Sequence, residues 1–226
     1  MKYIIIGLGY FGSHLATNLV SAGHEVIGID KNSTHIDELK DKITQVMIMD
    51  STNANAMDSL PLSDVDAVIV AIGEEAGASI LTLALLRKYP IKRLIGRAIS
   101  PIHQSILSEL GIEEIVHPEQ DMARLVANIL QVESAVNIHP IDEDYVIAEI
   151  LVPEKYVGHT LESVNMGKRF DLKLVGIKTA AKEKKEKGLF RKDYKVDLSD
   201  NQIKILHDNE ILIIAGRIDN IKKFTA

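Results

Sequence analysis

A short glycine loop near the start of the chain has the clearest chemical potential in this sequence. Gly7, Gly9 and Gly12 follow the apolar run Ile4-Ile5-Ile6 in the spacing G-x-G-x-x-G. Between a strand and a helix, the first glycine permits a tight turn and the second lets the backbone approach phosphates. The third lets the helix pack closely on the sheet, and the helix N-terminus then favours phosphate oxygens. The loop therefore predicts a phosphate-binding site.

An acidic residue at the end of the next apolar run supports a nucleotide as the ligand. Asp30 ends the run Val26-Ile27-Gly28-Ile29, 18 residues after Gly12, and Lys31 follows it. A carboxylate at this place accepts hydrogen bonds from ribose hydroxyls, and its charge disfavours the 2′-phosphate of NADPH. The predicted ligand is an adenine nucleotide whose ribose carries no 2′-phosphate.

Further candidate contacts lie where the other apolar runs end, because ligands bind beyond the carboxyl ends of parallel strands. Residues 50–52 are predicted to border the adenine, and residues 71–73 the phosphates or the distal ribose. The guanidinium of Arg97 is placed to reach a phosphate. Each of these residues has the alternative of capping a helix or facing solvent. The complete set of candidates is Gly7, Gly9, Tyr10, Phe11, Gly12, Asp30, Lys31, Asp50, Ser51, Thr52, Ala71, Ile72, Gly73 and Arg97.

The elements that must position these residues form an α/β pattern. Up to about residue 118, six short apolar runs without alternation are separated by five helical patterns. Such runs are typical of parallel strands buried on both faces. The predicted fold is a Rossmann-like, doubly wound parallel sheet. A helix over about 119–133 follows, and it either covers the sheet or pairs subunits.

The sequence changes in character near residue 137. Strands are predicted near residues 146–152, 173–178 and 211–215, and a short helix near 219–224, with no second glycine fingerprint. We therefore predict two domains, a nucleotide-binding domain over 1–136 that includes the possible dimerising helix, and a smaller α+β domain over 137–226. The basic segment 179–195 is interpreted as a solvated hairpin loop, with contact to an acidic partner or membrane surface as the alternative.

Composition excludes several classes of protein. The formal net charge is −6 and aromatic residues make up 4% of the chain, which disfavours a nucleic-acid-binding protein. No cysteine is present, so thiolate catalysis and cysteine-bound metals are excluded. No window reaches the roughly 18 apolar residues that a membrane helix needs. The histidines at 103, 117 and 139 have no partner recognisable in the sequence, and no catalytic residue is predicted.

The combination resembles a known family. The glycine loop, the strand ending at Asp30, the segments 68–73 and 111–112, and the stretch His117-Pro118-Glu119-Gln120-Asp121 are similar to the regulator of K⁺ conductance (RCK) domain. More narrowly, the chain resembles the cytosolic gating subunit of Ktr/Trk-type potassium-uptake systems. The resemblance extends over essentially the whole length, and the stretch at 117–121 is its most specific part.

The resemblance implies a function and partners. Subunits of this family pair and assemble into rings, of which an octamer of the Ktr type is implied here, beneath a membrane-embedded K⁺-translocating subunit. The chain would then be cytoplasmic and peripheral to the inner face of the cell membrane, and not an enzyme. Exchange of ATP against ADP, or of NADH against NAD, would change the shape of the ring. Arg97 would match the family's basic phosphate contact, and Glu119 the carboxylate associated with a divalent cation.

One position departs from the family pattern. Ktr-type members that distinguish ATP commonly carry arginine between the second and third glycines, where this chain has the neutral Tyr10. This leaves ADP, AMP or NAD(H) as better candidates than ATP, and cyclic di-AMP at the C-terminal domain stays open. The alternatives to a potassium regulator are a small NAD-dependent oxidoreductase and a nucleotide or redox sensor with a different partner.

Overall fold

The α/β pattern in the first half of the sequence and the α+β pattern in the second half form two separate structural units. The computed structural model describes residues 1–180, 184–186, 189–191, 194–199 and 201–226, so parts of the basic segment 179–195 lie outside the described residues. The chain divides into the units Met1–Asp121 and Met122–Ala226. The predicted domain boundary, after residue 136, lies C-terminal to this division and stays a prediction.

Six parallel strands form the centre of the first unit. They are β1 (Lys2–Ile6), β2 (Glu25–Asp30), β3 (Gln45–Ile48), β4 (Ala67–Val70), β5 (Leu94–Arg97) and β6 (Glu114–Val116). Their order is β3-β2-β1-β4-β5-β6, and every neighbouring pair is parallel. The order reverses between β1 and β4, which opens a crevice at the carboxyl ends of these strands. The predicted Rossmann-like fold is confirmed.

The side chains of β1 show that both faces of this sheet are covered. Ile4 and Ile6 belong to one cluster of buried residues and Ile5 to another. Because side chains alternate in direction along a strand, the two clusters lie on opposite faces. Burial on both faces explains why β4 consists of four buried apolar residues without alternation.

Five helices connect these strands: α1 (Tyr10–Ser21), α2 (Ser33–Leu39), α3 (Ala54–Met57), α4 (Ala76–Leu86) and α5 (Pro101–Glu109). The side chains of Asn32, Asn53 and Ser100 accept hydrogen bonds from backbone N–H groups in the first turns of α2, α3 and α5. These caps satisfy donors that the helix itself leaves unpaired. Helices α1 and α4 differ, because no side chain caps them, and α1 follows Gly9.

Helix α6 (Pro118–Leu130) exposes several of its apolar residues. None of its residues is buried, and Met122, Val126 and Leu130 are 57%, 46% and 81% exposed. Among the helices of the described residues, none is long and apolar enough to cross a membrane.

A five-stranded antiparallel sheet is the centre of the second unit. Its strands are β7 (Ala135–Pro140), β8 (Tyr145–Leu151), β9 (Lys173–Ala180), β12 (Tyr194–Asp197) and β13 (Glu210–Arg217), in the order β12-β9-β13-β8-β7. A separate hairpin pairs β10 (Lys184–Glu186) with β11 (Leu189–Arg191). The helices are α7 (Leu161–Val164), α8 (Met166–Phe170) and α9 (Ile218–Thr225), with a 3₁₀ turn at Glu154–Tyr156. Phe224 of α9 is fully buried and stacks on Tyr156 at 4.9 Å between ring centroids.

Among the described residues of this unit, the sequence analysis missed strands β7 and β12, the hairpin strands β10 and β11 in the segment interpreted as a loop, and helices α7 and α8. Strands β7 and β12 are the two edges of the sheet, and most of their residues are not buried, so their apolar pattern is weak. Helices α7 and α8 contain four and five residues, too few for a helical period. They are separated by Asn165, whose φ of 49° interrupts helical geometry.

Candidate functional site

A cavity of about 380 Å³ opens at the carboxyl edge of the parallel sheet, beside the reversal of strand order. Its volume lies within the range of roughly 300–1,000 Å³ that is usual for small-molecule sites. The residues that line it are Ile6, Gly7, Gly9, Tyr10, Ile29, Asp30, Lys31, Asn32, His35, Met49, Asp50, Ser51, Thr52, Ala71, Ile72, Gly73, Glu74, Glu75, Ala78 and Arg97.

The structure brings nearly all of the predicted ligand contacts to this wall. Only Phe11 and Gly12 of the candidate set lie away from it. The ring of Phe11 lies beneath the guanidinium of Arg97, and Gly12 is buried at the turn. The sequence analysis missed His35 and Glu75 on the wall. His35 lies five residues after Asp30, on the helix that follows. This short spacing in the sequence could have indicated that His35 lies near Asp30.

The three glycines of the loop have different surroundings. Gly7 has a φ of +92°, and its N–H donates to the carbonyl oxygen of Ile29 at 2.8 Å. A Cβ at Gly12 would lie 1.9 Å from the carbonyl oxygen of Gly7, so the helix can approach the turn only with glycine there. A Cβ at Gly9 would meet no atom within 4 Å, because this residue faces the cavity. Gly9 thus leaves space for a ligand beside the uncapped start of α1, where N–H groups and the helix dipole favour an anion.

Asp30 lies at the end of β2 with its carboxylate held by three groups. Its Oδ2 accepts hydrogen bonds from the backbone N–H of Leu8 at 2.6 Å and contacts Nδ1 of His35 at 3.0 Å. Its Oδ1 accepts from the backbone N–H of Asn32 at 2.8 Å. The side chain is 10% exposed, so its orientation toward the cavity is fixed by the fold.

Charged side chains surround the opening of the cavity. The ammonium group of Lys31 contacts a carboxylate oxygen of Glu75 at 2.6 Å, and this hydrogen bond raises the pKa of Lys31. The hydroxyl and backbone N–H of Thr52 donate to Asp50 Oδ1 at 2.7 and 2.9 Å, and these bonds lower the pKa of Asp50. The Lys31–Glu75 pair is more than half exposed, so it contributes little to stability. It joins the end of β2 to the start of α4 near the crevice.

Arg97 supplies the positive charge at the other end of the cavity. Its guanidinium donates to the carbonyl oxygen of Ala71 at 3.2 Å, lies over the ring of Phe11 and forms an ion pair with Glu119. A Cβ at Gly73 would lie 2.5 Å from Nη1 of Arg97, so the arginine occupies space that glycine leaves. The side chain of Arg97 is 14% exposed and that of Glu119 is 63% exposed.

Glu119, the predicted cation ligand, is engaged with Arg97. Among the residues that the structure describes, no group of three or more histidine, cysteine, aspartate or glutamate side chains is arranged to hold a metal ion. A single carboxylate on a helix start binds a divalent cation only together with other oxygen ligands.

The strand order, the glycine loop and the acid at the end of β2 define the first unit as a Rossmann-type nucleotide-binding domain. Residues 3–118 match the sequence profile described as the TrkA-N domain. The chain therefore belongs to the TrkA-N domain family.

Relatives resemble the chain over nearly all of its length. It is 29% identical over 223 residues to the Ktr system potassium uptake protein C of Bacillus subtilis. It is 28% identical over 223 residues to the Ktr system potassium uptake protein A of the same organism. Each match covers 99% of this chain and 95% of the relative.

Solved structures agree in fold. The GsuK RCK domain superimposes with a TM-score of 0.63 at 17% identity, over 97% of this chain and 46% of that chain. The NAD(P)-binding domain of an exopolyphosphatase-related protein from Archaeoglobus fulgidus has a TM-score of 0.50 at 28% identity, over 54% of this chain and 91% of that one. The resemblance to RCK domains of Ktr/Trk systems that the sequence indicated is confirmed.

Proposed function

We propose that the chain is a nucleotide-binding regulatory subunit of a potassium-uptake system and is not an enzyme. One observation carries the proposal: a cavity built for a nucleotide lies in a chain that matches two Ktr potassium uptake proteins over 95% of their length. The similarity extends beyond the nucleotide-binding fold to the second unit. It therefore favours a shared function more strongly than the fold alone does.

The proposed ligand is an adenine nucleotide. Asp30 at one end of the cavity suits a ribose, Arg97 at the other end suits a phosphate, and the start of α1 lies beside Gly9. Tyr10 is 86% exposed at the cavity wall and carries no charge for a γ-phosphate. We therefore rank ADP, AMP and NAD(H) above ATP.

The proposed partner is a membrane-embedded K⁺-translocating subunit at the inner face of the cell membrane. The chain would act in the cytoplasm as a homo-oligomer built from dimers, with an octameric ring as the expected assembly. The exposed apolar residues Met122, Val126 and Leu130 of α6 are available for subunit pairing. A surface of this kind is typical of protein interfaces.

Regulation requires that the nucleotide bind two conformations with different affinity. Arg97 and Glu119 form an ion pair in the structure, and a bound phosphate would create a second arrangement of these side chains. A phosphate on Arg97 competes with Glu119 for the guanidinium, because both are oxyanions. Glu119 then becomes available to a divalent cation held by the phosphates, and it lies in the first turn of α6. Ligand occupancy would thus alter the charge balance at the start of this helix.

A thermal-shift panel tests the ligand. Purified protein is heated with ATP, ADP, AMP, NAD, NADH or cyclic di-AMP, since a compound that binds the native state raises the melting temperature. Binding of an adenine nucleotide supports the proposal. If cyclic di-AMP still raises the melting temperature of a variant that no longer binds adenine nucleotides, the cyclic di-AMP site lies in the second unit. If no adenine nucleotide changes the melting temperature at millimolar concentration, the proposal fails.

Substitution of Asp30 by alanine locates the site. We expect D30A to weaken nucleotide binding by about 1–3 kcal/mol, because ribose hydroxyls lose their acceptor. The matched control is D37A, since Asp37 is 70% exposed on helix α2, which follows Asp30 in the chain, and contacts Lys40 outside the cavity. Equal affinities of D30A and D37A by calorimetry would remove Asp30 from the site.

Potassium uptake tests the function itself. Deletion of the gene is expected to reduce uptake, and complementation with D30A is expected to restore it less well than complementation with D37A. Unchanged uptake after deletion would refute the regulatory role. Turnover of a substrate with reduction of NAD by the purified protein would instead favour an oxidoreductase.

A further inference from the structure

His35 adds to the cavity a side chain whose type is unrelated to the glycine fingerprint. It lies on α2, its side chain is 34% exposed, and it lines the cavity wall next to Asp30. Its Nδ1 is 3.0 Å from Asp30 Oδ2. An ionised carboxylate is an acceptor only, so Nδ1 of His35 carries a proton, and in the neutral imidazole Nε2 then carries a lone pair.

The hydrogen-bonding capacity of Asp30 is nearly used by the protein. A carboxylate offers about four acceptor sites, two on each oxygen. Leu8 and His35 occupy both sites of Oδ2, and the N–H of Asn32 occupies one site of Oδ1. One acceptor site therefore remains for a ligand, whereas a ribose presents two adjacent hydroxyl groups.

We infer that His35 is a second ribose-recognition residue, which accepts a hydrogen bond from one ribose hydroxyl at Nε2 while its Nδ1–H fixes Asp30. The inference rests on the proposed adenine-nucleotide site. In the described part of the chain no protein group bonds Nε2, and the ring lies on the cavity wall. The imidazole and the carboxylate together then serve both hydroxyls of the diol. This pair makes the site selective for ribose over deoxyribose.

Among the described residues, the other charged groups on the same wall form no hydrogen bond with Asp30, whose partners are Leu8, Asn32 and His35. These charged groups are Lys31, Asp50, Glu74, Glu75 and Arg97. Lys31 is paired with Glu75, and Oδ1 of Asp50 accepts two bonds from Thr52. Arg97 donates only, and it is paired with Glu119.

A variant that keeps the bond to Asp30 separates the two roles of His35. In H35N the amide N–H₂ can replace the Nδ1–H donor, but no acceptor reaches the position of Nε2. Calorimetry measures ADP, 2′-deoxy-ADP and 3′-deoxy-ADP against wild type, H35N and the control H24A, whose histidine contacts Tyr3 outside the cavity. We expect H35N to weaken ADP binding about three- to tenfold. The deoxy analogue that lacks the hydroxyl served by His35 should bind H35N and wild type within twofold of each other.

The opposite results are distinct. If H35N binds ADP as wild type does, or if it weakens ADP and both deoxy analogues by the same factor, His35 does not recognise ribose. If wild type binds no adenine nucleotide, the proposed function fails instead.

The histidine ring can also be observed without a variant. In ¹⁵N-labelled wild-type protein, long-range ¹H–¹⁵N correlation spectra report which ring nitrogen carries the proton. We expect the Nδ1–H tautomer for His35 and a shift of its Nε2 resonance when ADP is added. An Nε2–H tautomer, or an Nε2 resonance that ADP leaves unchanged, would overturn the inference even if H35N does not fold.

Discussion

Replacement of Gly12 by alanine tests the packing of the glycine loop most directly. A Cβ at this position would lie 1.9 Å from the carbonyl oxygen of Gly7 and 3.2 Å from the Cβ of Ala71. Ordinary contacts begin near 3.4 Å, so α1 and the turn must separate by about 1.5 Å. The carbonyl group of Gly7 belongs to the backbone, which cannot rotate away as a flexible side chain can.

The expected loss of stability follows from two opposing effects. Overpacking a core costs about 1–3 kcal/mol, and the upper end applies here because the backbone must move. Alanine regains about 1 kcal/mol of helix propensity relative to glycine. The net loss is about 2 kcal/mol, which corresponds to roughly 5–10 °C in melting temperature for a unit of this size.

Circular dichroism during heating measures this effect, since the chain contains no tryptophan for fluorescence. The matched control is G77A, because Gly77 lies on α4 and its Cβ would meet no atom within 4 Å. G77A is expected to raise the melting temperature slightly through helix propensity. If G12A melts with or above wild type, the close approach of α1 to the turn is wrong.

Three further predictions follow from the same structure. G9A should keep wild-type stability, because its Cβ meets no protein atom, but it should weaken ADP binding at least tenfold by occupying ligand space; full ADP binding by calorimetry would place the phosphates elsewhere. Burial lowers the pKa of His103 below its ordinary 6.5, so as pH falls the unfolded chain takes up this proton before the folded chain does, and stability is lost below about pH 6.5. H103L should therefore reduce the change of melting temperature between about pH 5 and pH 8. A variant whose melting temperature changes with pH as that of wild type does would contradict this origin. Burial would raise the pKa of Glu210, but hydrogen bonds from Lys204 and from the N–H of His207 outweigh burial and lower the pKa. K204M should therefore reduce the free energy of unfolding in urea by about 2–4 kcal/mol, and the double variant K204M/E210Q should recover most of this loss. Equal free energies of unfolding for K204M and wild type would show that the ion pair does not stabilise the fold.

The sequence predicted the first unit well because its strands are buried on both faces. Runs such as Ala67–Val70 need no partner to be recognised, since every residue in them is apolar. The edge strands β7 and β12 are half exposed, and their residues are selected by neighbours that the sequence does not identify. The strand order β12-β9-β13-β8-β7 of the second unit pairs β13 with β8 and β9, which lie far from it in the sequence, so the sequence pattern does not predict this order.

The candidate site divides in the same way. The glycine loop and Asp30 could be predicted because their spacing is fixed by one strand–turn–helix unit. The contact of Lys31 with Glu75 joins positions 44 residues apart, and only the strand order brings them together. The pairing of His35 with Asp30 depends on the direction of a helix that the pattern located but could not orient.

The position of the Arg97 guanidinium depends on Gly73, although Gly73 carries no charge itself. The guanidinium of Arg97 fits against this glycine, and an uncharged side chain at position 73 would displace it while leaving every charge in the chain intact. G73A would therefore separate the presence of a positive charge from its placement. If Arg97 binds a phosphate as proposed, an arginine at the end of β5 suffices for this contact only where the residue facing it is small.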